Sequence, residues 1–404
     1  MLSSFDHLQA HLDSLGLFSM QLGLERMTQA LERMRLGRPE AVVAHVVGTN
    51  GKGSTSGFLD ALARAHGLRT GLYTSPHLVL VRERIRIDGR LLPEEDWLRV
   101  ANLVLARCAD IGLTYFELLT VMALELFRQA GVELIVLEAG LGGTHDATRA
   151  VSADLTVMTP VGMDHESVLG PTLGHIARDK AGALGRCPAV TGLQEKDVLE
   201  ILRRHSGAEP LERLDQCRRR DGFVVDGLRL GSAMLPDHPP YQLANAALAL
   251  LAWSALARLQ GWQFQPGLCT EVLGRTYFPG RFRRHGRVLV DGAHNSMGLT
   301  ALCEALDGRG EHFDQLVFQA MQDKQMDPAV LSRLIRLADT VVVPALPHVE
   351  RASKPEVLAS RLGSQARVAD NLRQALARPG STLLCGSLYL VGEYYSLHPE
   401  HLEF

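Results

Sequence analysis

The 404-residue chain carries 42 Lys and Arg against 45 Asp and Glu, a formal charge of −3 with its 16 His neutral, and 46% of its residues are hydrophobic. That composition excludes intrinsic disorder for the chain as a whole and supplies apolar side chains for two or three cores. The 22% of charged residues are nearly balanced in sign, which excludes a global electrostatic case for nucleic acid or an anionic membrane, so an anionic ligand has to be caught locally.

The first fifteen residues, MLSSFDHLQAHLDSL, are polar, and no run approaches roughly 18 uninterrupted apolar residues, so a soluble cytoplasmic protein is expected. From about residue 42, apolar runs bounded by glycine alternate with helical patterns, the signature of crossover units on a largely parallel sheet. VVAHVVG (42–48) reads as a strand, and Phe58, Leu59, Leu62 and Ala63 recur as one face of a helix that begins after Lys52. A short strand is expected at 68–74. Phe116, Leu119, Ala123, Leu126 and Phe127 follow at helical spacing, Gly131 stops that helix, and ELIVLE (133–138) reads as a buried strand. A strand is expected at 154–159, a helix from Thr172 to Leu184, and a helix buried on most sides over 241–257. The segment 274–287, with five Arg among three Gly and a Pro, suits an exposed hinge. A second series of strands follows at 287–291, 315–320, 340–344 and 381–386.

The simplest parse is an α/β protein of two domains. Residues 1–274 form a phosphate-loop ATPase-like domain with a mainly parallel sheet, residues 283–404 form a smaller Rossmann-like α/β domain, and 275–282 form the hinge. The six cysteines (Cys108, Cys187, Cys217, Cys269, Cys303 and Cys385) are widely separated and show no zinc-ligand spacing, so free, mostly buried thiols are expected.

The sharpest chemical feature is Gly48-Thr49-Asn50-Gly51-Lys52-Gly53-Ser54, set between a predicted strand and a predicted helix. Glycines there let successive N–H groups turn toward a phosphate, the helix N-terminus adds partial positive charge, and Lys52 adds a formal one. The loop departs from G-x-x-x-x-G-K-[ST]: Val46 takes the first glycine position, and Gly53 separates Lys52 from Ser54. Nucleotide phosphates call for Mg²⁺ with few protein oxygens. Glu138 closes a parallel strand, where the metal acid of phosphate-loop enzymes sits, and Ser75 and His165 follow strands on the same edge. Lys180, near a helix end, reads by position as a solvated cap. Asp291-Gly292-Ala293-His294-Asn295 repeats the strand-end polar arrangement in the second domain, with an Asp/Asn helix cap as the plainer reading. The arginines at 281–287 read as a solvated face, with a phosphate grip as the alternative.

Taken in order, Leu22-Gly23-Leu24-Glu25-Arg26, HVVGTNGKGST (45–55), TSPH (74–77), TYFELLT (114–120), LEAGLGG (137–143), GMDH (162–165), KAG (180–182), QLANAALAL (242–250), FPGRF (278–282) and DGAHN (291–295) resemble the folylpolyglutamate synthase/dihydrofolate synthase family of the Mur ligase superfamily. The resemblance implies an ATP-dependent ligase that adds L-glutamate to dihydropteroate and to the γ-carboxylate of reduced folates through an acyl phosphate. It implies ATP phosphates at Asn50, Gly51, Lys52, Gly53 and Ser54, with further nucleotide contacts from Asn245, Arg281 and Asp291. Magnesium falls to Ser75, Glu138 and His165. Lys180 matches a lysine that is carbamylated, Asp291 and His294 lie where glutamate arrives, and Lys52, Lys180 and His294 form the catalytic set. Leu22, Gly23, Leu24, Thr114, His145, Asp146 and Ala147 match positions that hold the dihydropteroate moiety.

Three departures stand out. Thr144 and Arg149 occupy positions where relatives often carry Arg and Asn, and Ser296 stands where Pro is frequent. The first two bear on substrate preference. A monofunctional member of the pair, another Mur-type amino-acid ligase and a nucleotide-switch ATPase are the competing readings. Small-molecule substrates only, a monomer, and closure about the hinge before chemistry are the remaining expectations.

Overall fold

The apolar runs become strands buried on both faces, because the crossover connections between them are helical and leave no face open to water. The computed structural model describes residues 1–16, 23–324 and 326–402. It separates into a first unit of Met1–His77, Val81–Leu235 and Leu243–Thr276, and a second of Leu78–Leu80, Pro236–Gln242 and the chain from Tyr277 onward.

The first unit is built on β1 (Val42–Val47), β2 (Thr70–Tyr73), β3 (Ile85–Ile87), β4 (Arg90–Leu91), β5 (Leu134–Glu138), β6 (Leu155–Met158), β7 (Ala189–Thr191) and β8 (Leu211–Arg213). Their order is β4-β3-β2-β5-β1-β6-β7-β8, parallel except for β3 and β4. The register sets Val46 opposite Glu138, Tyr73 opposite Leu137 and Val47 opposite Met158, which brings the carboxyl ends of β2, β5, β1 and β6 level with one another. That shared edge is what positions the chemistry.

The helix Tyr115–Ala130 starts in a capping box of Thr114 and Glu117 and ends at Gly131 in the left-handed region, as its pattern predicts. The helix expected over 172–184 runs Leu173–Ala181, shorter at its far end. Its last carbonyls are taken by another segment: Thr144 donates to the Asp179 carbonyl through N–H (3.0 Å) and Oγ1 (2.8 Å), and Arg149 Nε donates to that of Gly182 (2.6 Å). The helix Pro240–Gln260 is long and apolar enough to cross a membrane, but 83% of its apolar window is buried, so it is a core helix. A small antiparallel sheet of β9 (Arg218–Arg219), β10 (Gly222–Val225) and β11 (Leu228–Gly231) completes the unit.

The second unit carries β12 (Arg283–His285), β13 (Val288–Val290), β14 (Phe313–Phe318), β15 (Ala338–Pro344), β16 (Ala366–Ala369) and β17 (Thr382–Cys385) in the order β12-β13-β17-β14-β15-β16, with only β12 antiparallel. The arginine-rich segment is exposed only in part: Arg284, Gly286 and Arg287 face water as its composition suggests, while the residues before them are held by the fold. Gly280 and Phe282 are buried, the Gly280 N–H donates to the Tyr395 hydroxyl (2.7 Å), and the Phe282 N–H donates to Asp291 Oδ2 (2.8 Å). Arg283 lies over the Tyr277 ring, Arg284 pairs with Glu311, and Arg287 donates to the carbonyls of Leu376, Arg378 and Gly380. Backbone carbonyls and a ring face absorb charge that composition alone assigns to water. All six cysteines are free, five of them buried.

Candidate active site

β1 delivers the chain into the loop at Gly48, whose φ of 152° and tight surroundings admit no side chain: a Cβ there would lie 2.0 Å from Thr159 Oγ1 and 2.8 Å from the Thr159 carbonyl oxygen. Gly51, at φ 83°, caps the helix Lys52–Ala65, and its open face is filled by the Asn245 amide, 2.4 Å from where a Cβ would stand. The loop is anchored on the next strand end. The Thr49 N–H donates to the Pro160 carbonyl (3.0 Å), and Thr49 Oγ1 bridges the N–H and carbonyl of Gly162 (both 3.1 Å). Lys52 folds back so that Nζ donates to the Thr49 carbonyl (3.1 Å), and Ser54 is buried in the first turn of the helix.

Glu138 ends β5 and is 3% exposed. Its Oε2 accepts from the Ser75 N–H (3.0 Å) and lies 3.6 Å from the position a Cβ on Gly53 would take, so strand-end acid, Ser75 and phosphate loop are neighbours. His165 sits in the left-handed region, its N–H donating to Asp164 Oδ1 (2.8 Å) and its Nε2 3.9 Å from the same oxygen. Hydroxyl, carboxylate and imidazole donors on one sheet edge, beside a cradle that side chains at Gly48 and Gly51 would fill, form a donor set suited to a phosphate-bound divalent cation.

Lys180 overturns its reading as a solvated cap. It is 2% exposed, and its Nζ donates to the Gly48 carbonyl (2.8 Å). Desolvation, reinforced by the Lys52 charge and opposed by Asp164, Asp179 and Asp146, lowers its pKa from 10.5 to about 7. Between those values the unfolded chain binds a proton that the folded chain does not, so stability rises with pH, and below pH 7 the full penalty, on the order of 5 kcal/mol, is present. In bicarbonate-free buffer Lys180→Met should therefore be more stable than wild type below pH 7, with the gap closing as pH rises. Denaturant titrations across pH check this, and parallel stability profiles would contradict it.

Thr144 and Arg149 lie in this neighbourhood through their bonds to the carbonyls of Asp179 and Gly182, which bracket Lys180. Asp146, 6% exposed, accepts from the N–H groups of Leu141 (2.8 Å) and Thr148 (3.0 Å) and from the Thr148 hydroxyl, which also meets His45 Nε2 (2.8 Å). Burial raises the pKa of its carboxyl, and those donors oppose the rise. Ala147 is buried beside it and His145 is exposed. Leu22 lies outside the described residues. Gly23 and Leu24 lead into the helix Glu25–Met34, from which Arg26 makes a two-pronged contact with Glu117 (3.0 and 2.9 Å), and Glu117 Oε2 in turn accepts the Thr114 N–H (2.8 Å). Thr114 is thus held by its capping role. Arg26→Ala should leave the buried Glu117 without its cation and destabilise the protein by about 1–3 kcal/mol, read from denaturant midpoints; an unchanged midpoint would contradict it.

In the second unit Asp291 directly follows β13, 3% exposed, and its carboxylate accepts from the Tyr241 hydroxyl and from the N–H groups of Phe282 and Ala293, each at 2.8 Å. It is not a helix cap; Asn295 fills that role, accepting from the Gly298 N–H (2.8 Å). Burial pushes the Asp291 carboxyl up and the Tyr241 phenol well up, so the phenol keeps its proton and is the donor. Arg281 lies across Gly292, where a Cβ would meet Nη1 at 2.1 Å. His294 Nδ1 lies 2.8 Å from the Gly292 carbonyl, which only accepts, so Nδ1 carries a proton.

No family model matches the chain. It is 32% identical to the dihydrofolate synthase/folylpolyglutamate synthase of Escherichia coli over 95% of this chain and 92% of that protein. The chain belongs to the folylpolyglutamate synthase/dihydrofolate synthase family. A probable bifunctional folylpolyglutamate synthase/dihydropteroate synthase of Haloferax volcanii is 34% identical over 93% of this chain, which spans only 48% of that longer protein. Among solved structures, E. coli FolC in complex with DHPP and ADP superposes with a TM-score of 0.86 at 30% identity, covering 99% of each chain. The Yersinia pestis bifunctional folylpolyglutamate synthase/dihydrofolate synthase complexed with AMPPNP and a Mn ion does so at 0.84 and 31%, covering 98% of each. Within this folylpolyglutamate synthase/dihydrofolate synthase chain, the sequence reading passed over Asp164 and Asp179. Asp164 lay inside the quoted GMDH string, whereas nothing local marks Asp179, whose Oδ1 accepts the Gly143 N–H across 36 positions (2.9 Å).

Proposed function

We propose that the carboxyl edge of the first unit's sheet holds the nucleotide and its metal, and that Asp291 and His294 of the second unit serve the incoming glutamate. The protein is an ATP-dependent ligase that joins L-glutamate to dihydropteroate or to the γ-carboxylate of a reduced folate. The observation that carries the site assignment is the adjacency of Glu138, Ser75 and Gly53 at the phosphate loop.

A carboxylate is a poor electrophile because its leaving group would be an oxide. In the reaction its oxygen bonds to the γ-phosphorus as the bond to ADP breaks, giving an acyl phosphate. The glutamate nitrogen then bonds to the acyl carbon, phosphate leaves with the C–O bond electrons, and the amine loses a proton. Loop N–H groups from Asn50 to Ser54 and the Lys52 ammonium orient the phosphates and stabilise charge on the transferred group, with Asn245 and Arg281 as further nucleotide contacts. Mg²⁺, held by Ser75, Glu138 and His165, would supply charge neutralisation on the phosphates. We assign His294 to orienting the glutamate amine or taking its proton. Asp291 faces glutamate or nucleotide through the same strand end. We assign dihydropteroate to Leu22, Gly23, Leu24, Thr114 and the loop His145, Asp146 and Ala147.

We further infer that Lys180 is carbamylated. A buried amine with its pKa lowered to about 7 has a substantial uncharged fraction at neutral pH, so its nitrogen can bond to CO₂ with release of a proton. The product is an anion beside Lys52 and the phosphate loop, which removes the repulsion between the two lysines. A cytoplasmic setting accords with six free thiols.

The deciding experiment is phosphate release with ATP and Mg²⁺, with mass detection of product, comparing dihydropteroate, tetrahydrofolate and a UDP-muramoyl peptide with and without glutamate. Glutamate-dependent release with both pterin substrates is expected. Activity on only one would identify a monofunctional enzyme, and release that ignores glutamate would overturn the reading in favour of a plain ATPase.

A further inference from the structure

A cluster of histidines in the second unit lies outside every residue assigned above. After the helix Leu388–Leu397 the chain turns through Pro399–His401, and this turn gathers His398, Glu400 and His401 so that one ligand atom from each lies within 4.8 Å of the others. His398 Nδ1 is 3.2 Å from a Glu400 oxygen. His401 Nδ1 is 3.1 Å from the Tyr394 hydroxyl, which orients the ring and directs Nε2 elsewhere, the support that metal-binding imidazoles characteristically receive. The His401 ring is also stacked on His285 at 4.2 Å between centroids, and His285 is itself tied to the Tyr395 hydroxyl (3.1 Å). One ligand ring is therefore already fixed on two sides, His398 rests against the Tyr394 ring (4.9 Å between centroids), and the exposed Glu400 is free to adjust. A cleft of about 330 Å³ adjoins the cluster and is lined in part by His285, His398 and His401. Arg287 and Arg373 also line it; the Arg287 N–H groups are committed to three backbone carbonyls, and Arg373 is exposed to water.

We propose that His398, Glu400 and His401 form a site for a divalent transition metal of the zinc type, with the adjoining cleft leaving a fourth position open to water or an exogenous ligand. Two imidazoles and one carboxylate are a set that suits zinc, cobalt, nickel or copper and that magnesium passes over. Bonds of about 2.0–2.1 Å in a tetrahedral arrangement place ligand atoms about 3.3 Å apart, so the observed spacing needs only side-chain rotation, most of it at the exposed Glu400. The bound metal pins the 398–401 turn to the helix before it, and so stabilises the second unit without touching the ligase residues.

Cobalt titration of the metal-stripped full-length protein in excess Mg²⁺ tests this, with Co²⁺ as a visible probe. Wild type should bind one more equivalent of Co²⁺ than His398→Gln/His401→Gln and show an intense four-coordinate visible band that the double variant lacks. Zn²⁺ should raise the wild-type Tm and leave that of the double variant unmoved. Glu400→Gln, altered only at an exposed side chain, should weaken Co²⁺ binding at least about tenfold, and it carries the test if the double variant proves unstable without metal. Equal Co²⁺ affinity and spectra in wild type and Glu400→Gln would overturn the site. So would a wild-type Tm that responds to inorganic phosphate but not to Zn²⁺, since the cleft would then be an anion pocket.

Discussion

Lys52→Ala should reduce glutamate-dependent phosphate release by at least about 10²-fold, the scale on which removing one charged stabiliser of a transferring group acts. The fold does not depend on this ammonium. Its Nζ donates to the Thr49 carbonyl of its own loop, a partly exposed contact whose loss is worth about 1 kcal/mol at most. Its charge adds a formal cation to a cradle built largely of backbone N–H groups, so its removal strikes phosphate affinity and the transferring phosphoryl group together. Lys52→Arg should not restore the rate, because a planar guanidinium is longer and bulkier than the point charge it replaces. Steady-state phosphate release with ATP binding measured alongside decides the matter: an alanine variant within a few-fold of wild type, folded and saturated with ATP, would remove Lys52 from the catalytic set.

The second large effect is expected at Lys180. Lys180→Ala should lose on the order of 10²-fold in turnover, because a preorganised charge is lost from the water-excluded edge that holds the loop. If the working form is the carbamate, the missing group is an anion, and formate or acetate should recover part of the lost activity in the alanine variant while leaving wild type unaffected. Depleting bicarbonate should slow wild type and leave the variant where it is. If the working form were instead the ammonium, a short amine would rescue and a short acid would not. The pH dependence of stability expected above separates this from a packing defect, since only a titrating group produces a stability difference that closes as pH rises.

The phosphate loop and the strand-end acid were legible because both are local. A strand that ends in Gly48, a helix that opens at Lys52, and a carboxylate closing an apolar run are patterns of a few residues, and a parallel sheet lines such ends up on one edge. The helix Tyr115–Ala130 could likewise be read from its spacing and its glycine stop. Lys180 could not be read this way. Its burial depends on a carbonyl 132 positions earlier and on Thr144 and Arg149 closing the helix end, and no window of sequence holds all of these. The arginines at 281–287 were legible only in part: Arg284 and Arg287 are exposed as composition suggests, but the fold also gives Arg287 three backbone carbonyls and Arg283 a tyrosine face, which composition does not count. The hairpin of β10 and β11 turns at Asp226 and Gly227, both at positive φ, a turn signal present in the sequence. Thr159 and Asp179 act through atoms that meet the loops only once the strand ends are level.

The account stands or falls on whether the acid substrate is activated by phosphoryl transfer. Dihydropteroate carrying ¹⁸O in both carboxylate oxygens should, on ligation to glutamate in unlabelled water, deliver one ¹⁸O to the phosphate released and keep the other in the new amide. Phosphate free of ¹⁸O, with both labels still on unreacted dihydropteroate while ATP is consumed, would contradict it.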